Sequence, residues 1–205
     1  LPKSHLHIHL EGAMRRSTLV ELAERYEMDV PEDTRGQRFD NFGGFHDTYV
    51  AACHCVRSTA DLTRLILEVA EDNAEDGVWW MEPAFDAARF STDREGSPDQ
   101  IFRTQEEAWL FALKAAEEAE RTTGVGIAFM AAADRTEPVQ NALERAVMTA
   151  ELVETGQHLI LSGMPCFEGL HAGIGSFGLH ANEEGNPPGP FAEAFRLACA
   201  NTDLL

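Results

Sequence analysis

His5-Leu6-His7-Ile8-His9-Leu10-Glu11-Gly12 alternates imidazoles with aliphatic side chains. A β-strand has this alternation, because its side chains at i and i+2 share a face about 7 Å apart. His7 and His9 are therefore expected to aim two imidazoles at one point, which is how a strand builds half of a metal site. Zinc accepts imidazole nitrogen at about 2.0–2.1 Å, and a catalytic zinc commonly takes three protein ligands plus water. The remaining ligands must then come from elsewhere in the fold. Two competing readings are a polar strand face and a remnant of an affinity tag. A tag is a contiguous run, whereas apolar residues separate these histidines.

Outward from this strand, the chain alternates helical and extended patterns. Ser17-Thr18, Glu21 and the apolar Leu19, Val20 and Leu22 predict a helix over residues 17–28, opened by a Ser/Thr cap. A polar loop follows over 31–40. Residues 42–56 read as a helix with Phe45, Tyr49 and Ala52 on one side. Residues 58–74 form an amphipathic helix with Leu62, Leu65, Ile66 and Val69 in one stripe, stopped by Gly77. Val78 to Phe85 reads as a second strand, 99–122 as a long helix ending near Gly124, and 125–132 as a fully buried strand. A helix over 137–154 and a strand over 174–179 come next, then a helix over 190–200. Residues 202–205 look like the start of a fifth strand. Residues 158–171 fit no element.

Strands separated by helices imply a parallel sheet with right-handed crossovers. Four units and a broken fifth make either a small doubly wound sheet or part of a (β/α)8 barrel, which takes about 250 residues.

Composition narrows the function classes. The chain has 205 residues, is 44% hydrophobic and carries a formal charge of −19, so it can bury a core. That charge argues against nucleic acid, whose phosphates favour a basic surface. No apolar run is long enough to span a membrane. Cys53, Cys55, Cys166 and Cys199, with no secretory segment at the start, are expected as reduced thiols in the cytoplasm. Leu1 is not an initiator Met, so residues are expected to precede it.

Residues 2–19, Pro-Lys-Ser-His-Leu-His-Ile-His-Leu-Glu-Gly-Ala-Met-Arg-Arg-Ser-Thr-Leu, closely resemble the opening of the adenosine deaminase family. That family also holds adenine and related aminopurine deaminases. Later segments match in order. Phe42, Phe45 and Tyr49 resemble a short helix whose aromatics flank the purine pocket, though core packing explains them equally well. Asp76 to Phe85 is similar to the second-strand motif, with Ala84 where the family usually has Arg. Gly178-Leu179-His180-Ala181-Asn182-Glu183 resembles the fourth-strand motif, in which a backbone N–H near a Gly contacts the purine; Ala181 replaces that Gly. The same residues also look like the family's H-A-G-E. However, they end the fourth strand rather than the fifth, and the helix that precedes H-A-G-E resembles residues 191–198. His180 is therefore expected as a loop histidine, solvated or lying behind the metal ligands.

The resemblance implies an α/β fold, the N-terminal half of a (β/α)8 TIM barrel with about four βα units and the start of a fifth. Residues 1–205 would be one deaminase-like domain cut short at its C-terminal end. It also implies hydrolytic deamination of adenosine, deoxyadenosine or adenine, a small-molecule purine substrate, and Zn2+ as cofactor. His7 and His9 would hold the metal, and Glu11, Phe45 and Ala181 would meet the substrate. A third zinc His, the catalytic Glu and an Asp pair are expected beyond Leu205, so the chain alone is expected to be inactive.

Competing motifs fail on context. Gly173-Ile174-Gly175-Ser176-Phe177-Gly178 spells G-x-G-x-x-G, but Asn186-Pro187-Pro188-Gly189-Pro190 forbids the helix that a dinucleotide site needs next. Pro165-Cys166 lacks the second Cys of the cytidine-deaminase pattern, because Gly169 stands there. A different class of reading is a non-catalytic remnant or a purine-binding module without a full metal site. Half a barrel would expose sheet edges and apolar helix faces, which predicts aggregation or dependence on a partner.

Overall fold

The structure, a computed structural model, describes residues 1–91, 100–161 and 173–200, with 154–161 described by backbone alone. Among these residues four strands, β1 (Lys3–His9), β2 (Val78–Phe85), β3 (Gly126–Asp134) and β4 (Gly173–His180), form one sheet in the order β1-β2-β3-β4. All three pairings are parallel. Helices α1 (Arg16–Arg25), α2 (Phe42–Cys53) and α3 (Thr59–Glu75) lie between β1 and β2 in the chain. Helix α4 (Gln105–Thr123) links β2 to β3, α5 (Val139–Leu161) precedes β4, and α6 (Ala192–Cys199) follows it. The α/β reading with a parallel sheet holds.

Burial shows why these segments take these forms. Along β3, every position but Asp134 is buried, so a continuous apolar run becomes a central parallel strand. The α3 stripe of Leu62, Leu65, Ile66 and Val69 is fully packed away, as its spacing predicts. The Ser58 hydroxyl accepts the Asp61 N–H at 3.1 Å to open α3, and Gly77 at φ 74° ends it. One face of the sheet packs on the helices through Met81, Phe85, Ile127, Phe129 and Phe177. The other face carries a separate small cluster of Ala84, Met130 and Ala132.

Several boundaries differ from the sequence reading for identifiable reasons. Helix α1 starts at Arg16 behind an uncapped Arg15, so Ser17-Thr18 is no cap. The buried Thr18 hydroxyl instead donates to Glu68 Oε2 on α3 at 2.5 Å, a tertiary bond that competes with capping. Helix α4 begins at Gln105, not near 99, capped by Thr104. The Ile101 and Phe102 N–H groups, which looked helical, both donate to Phe90 O at 2.9 Å. Helix α5 runs to Leu161, beyond the expected end at 154, and takes in part of the unassigned 158–171 stretch. Residues 162–172 and the expected fifth-strand start at 202–205 lie outside the described residues.

The G-x-G-x-x-G run is the strand β4 itself. Gly175 is small because β4 crowds β3: a Cβ there would sit 2.9 Å from the Cβ of Ala128. The motif therefore serves strand packing and forms no phosphate-binding turn.

Candidate active site

The end of β1 does not keep strict alternation. Leu6 pairs with Glu82 and Ile8 with Pro83, so His7 is an extra residue on a bulge, at φ 57°. The bulge has a direct consequence for the three histidines. On an even strand His5, His7 and His9 would share a face, but a one-residue slip reverses the facing of what precedes it. His5 accordingly turns to α3, with Nδ1 3.0 Å from Asn73 Oδ1. His7 and His9 are brought together, with ring centroids 5.5 Å apart.

Glu11 follows in a turn of 3₁₀ helix over Glu11–Ala13 and is only 3% exposed. Its Oε2 accepts the Tyr49 hydroxyl of α2 at 3.0 Å, while Oε1 is buried with no hydrogen-bond partner among the described residues. The Tyr49 ring also meets His9 edge-on at 5.7 Å. Burial raises the Glu11 carboxyl above its ordinary range, and the nearby Arg89 charge opposes that rise. Arg89 comes from a second 3₁₀ turn, Ala87–Phe90, and its guanidinium lies 5.9 Å from the Tyr49 ring centre. Burial works against the Arg89 charge, yet Cys53, Glu11 and Asp86 around it hold its pKa above the usual value.

Phe45, one turn before Tyr49 on α2, is 41% exposed and stacks on Tyr49 with ring centroids 6.4 Å apart. The structure therefore places Tyr49, rather than Phe45, against Glu11 and His9. Ala84 sits buried on the face opposite the helices, beside Met130 and Ala132.

The end of β4 reaches the same place. His180 is the last residue of the strand, not a loop histidine, and its ring lies 6.1 Å from that of His9 with planes 23° apart. Its Nε2 is buried with no hydrogen-bond partner among the described residues. Burial lowers the His180 pKa, while Asp86 and Asp134 pull it back up. His9 is pushed down to about 4 by burial, with the positive charges of His180, His7 and Arg89 adding to it. A neutral imidazole is the form that binds a metal. Sequence reasoning offers Tyr49 only as one of three pocket-type aromatics and His180 only as a loop histidine, and it misses Arg89. A His one residue before a glycine-like position was the available signal for His180.

Ala181, which stands where the resembling motif has Gly, adopts φ 72°. A left-handed conformation costs an L-residue about 1–2 kcal/mol, part of which a glycine would lose again to chain entropy. Ala181→Gly is expected to stabilise the protein by about 1 kcal/mol, read as a higher urea midpoint at unchanged slope. A lower midpoint would show that the Ala methyl packs to an extent that outweighs this strain.

His7 and His9 suit zinc as two of its ligands: both are imidazoles at one strand end, and the buried Glu11 Oε1 beside them has an unmet hydrogen-bonding need. Among the described residues, no three His, Cys, Asp or Glu side chains come together closely enough to hold an ion. Nor is any described helix long and apolar enough to cross a membrane.

Known proteins resemble this chain in sequence and in fold. A Streptomyces virginiae protein, provisionally named an adenosine/adenine deaminase, is 30% identical over 206 residues, covering 97% of this chain and 53% of its own length. The structure of an adenine deaminase from Arthrobacter aurescens superposes with a TM-score of 0.68 at 23% identity, over 96% of this chain and 54% of the other. A zinc-bound amidohydrolase from Burkholderia ambifaria superposes with a TM-score of 0.63 at 24% identity, over 98% of this chain and 50% of the other. The chain thus spans about half the length of the relatives it matches, and its sheet is part of their barrel. The adenosine deaminase family model matches residues 2–204. With the strand-end histidines, the parallel half-barrel and this match in agreement, the chain belongs to the adenosine deaminase family.

Proposed function

We propose that the complete polypeptide catalyses zinc-dependent hydrolytic deamination of adenosine, deoxyadenosine or adenine, releasing ammonia. The observation that carries this reading is the convergence of the His7 and His9 imidazoles beside the buried, half-satisfied Glu11 carboxyl at the end of β1. Strand ends of this polarity are where barrel enzymes place their chemistry. Family membership and the names of the relatives support an aminopurine as substrate.

On this reading His7 and His9 hold the metal. When bound, zinc lowers the pKa of a coordinated water and so supplies hydroxide at neutral pH. Glu11 faces the substrate, its carboxyl oriented by the Tyr49 hydroxyl. The Ala181 backbone N–H is offered to the purine ring at the end of β4, and Phe45 lies over Tyr49 as an apolar cover. The catalytic Glu and the remaining ligands belong to polypeptide beyond Leu205, so residues 1–205 are an incomplete deaminase-like domain. Thiols such as Cys53, Cys55 and Cys199 suit a reducing compartment, and we place the protein in the cytoplasm.

Ammonia release from the three substrates tests this reading. A zinc-loaded polypeptide extended to the length of the relatives should turn over at least one of them, while residues 1–205 alone should bind purine without turnover. Absence of ammonia from all three with the extended protein would overturn the assignment.

A further inference from the structure

We propose that His180 is a substrate-contacting residue of this site, its Nε2 hydrogen-bonding the polar edge of the bound purine. The inference rests on the aminopurine reading above and deepens it by adding a side chain from β4. A buried polar atom without a partner is uncommon, and each one calls for an explanation such as an ion or a ligand. Among the described residues, Glu11 Oε1 and His180 Nε2 are both in that position. They come from the turn after β1 and the end of β4, the two edge strands of the described sheet, and His9 links them: its ring meets both Tyr49, the partner of Glu11, and His180.

The geometry favours an organic ligand over a third imidazole on the metal. The His180 and His9 rings lie nearly parallel, 23° apart, at a centroid separation of 6.1 Å. Imidazoles that share an ion point their nitrogens at it instead of stacking face to face, and no described three-residue group can hold an ion. A purine, in contrast, presents ring-nitrogen acceptors and N–H donors along its edge. A neutral imidazole carries one donor and one acceptor and can complement either kind of group.

The backbone holds the ring in place. His180 pairs with Asp134 of β3, and its carbonyl accepts the Arg135 N–H at 3.2 Å. The next residue, Ala181, is kept at φ 72° although it has a Cβ. A non-glycine residue in this region persists only where its surroundings over-determine it, and such positions cluster at ligand sites. The strand pairing and the turn therefore fix His180 and Ala181 together at the end of β4.

The test uses inosine as a non-reacting probe of the purine site, with affinity read by calorimetry and zinc binding read separately by equilibrium dialysis. His180→Phe, which keeps a planar ring without polar atoms, should weaken inosine binding roughly tenfold or more, as expected where a ligand group loses its partner. His180→Gln, which retains a donor and an acceptor, should stay within about threefold, and zinc affinity should be unchanged in both. In the unsubstituted protein, inosine should move the His180 Nε2 nitrogen resonance, a readout that no variant's folding can confound. Inosine affinity unchanged in His180→Phe, or a resonance unmoved by bound inosine, overturns the inference and leaves the aminopurine reading standing. A joint loss of zinc affinity in both variants overturns it in favour of a metal ligand. If the unsubstituted protein binds no inosine, its free base hypoxanthine takes the probe's place; if it binds neither, the aminopurine reading fails, and this inference with it.

Discussion

His9→Ala will lower the zinc affinity of the protein by about two orders of magnitude or more, while His5→Ala will leave it unchanged. Loss of a group that merely orients a metal ligand already costs about 10–100-fold, so removing a ligand outright should exceed that range. His9 carries the larger burden of the pair. It is the more buried, and it is braced by Tyr49 at 5.7 Å and His180 at 6.1 Å, whereas His7 is exposed on the bulge. His5 differs because the bulge turns it toward Asn73 on α3. Competition with a chromophoric chelator measures all three proteins. Equal zinc affinity in His9→Ala and the unsubstituted protein would remove His9 from the metal site. A loss in His5→Ala matching that in His9→Ala would show that the bulge does not separate the histidines in solution.

The same bulge marks where sequence reading stops. Val78 to Phe85 was legible to the residue, and so was the α3 stripe, because strand alternation, helical spacing, Ser58 and Gly77 are local signals. The parallel sheet followed from the order of elements. A bulge is not local: His-x-His-x-His reads as uniform alternation, and only the register against β2 reveals that His7 is extra. The site shows the same limit. Phe45 and Tyr49 sit one turn apart on α2, and nothing in their spacing says which reaches Glu11; the docking of α2 over the Glu11–Ala13 turn decides it. Arg89 was invisible because it lies past β2 in a 3₁₀ turn that no periodic pattern announces. His180 was placed in a loop because its motif resembles a loop motif, whereas pairing with Asp134 makes it the final residue of β4. Ala181 went the other way: the cost of φ > 0 for an alanine was foreseeable from the missing glycine, and the strained φ is there.

Phe85→Ala should cost the protein about 3–5 kcal/mol of stability, the range for truncating a fully buried Phe. Phe85 is 1% exposed and meets Trp109 edge-on at 4.9 Å, Phe90 at 5.6 Å and Phe129 at 5.7 Å. These rings tie β2, α4, β3 and the turn after β2 to one point, so the cavity cannot collapse without moving an element. Trp79 on the same strand is 66% exposed, and Trp79→Ala should change stability by no more than about 0.5 kcal/mol. Urea unfolding of both variants, at a common slope, measures the contrast. A cost below about 1 kcal/mol for Phe85→Ala, or similar costs at the two positions, would contradict the packing described here. The effect should also reach the site. Phe85 lies between Ala84 on the opposite face and Asp86, which opens the turn that carries Arg89. Loosening that anchor releases the guanidinium beside Glu11 and Tyr49, so Phe85→Ala should weaken inosine binding even under conditions where the variant is fully folded.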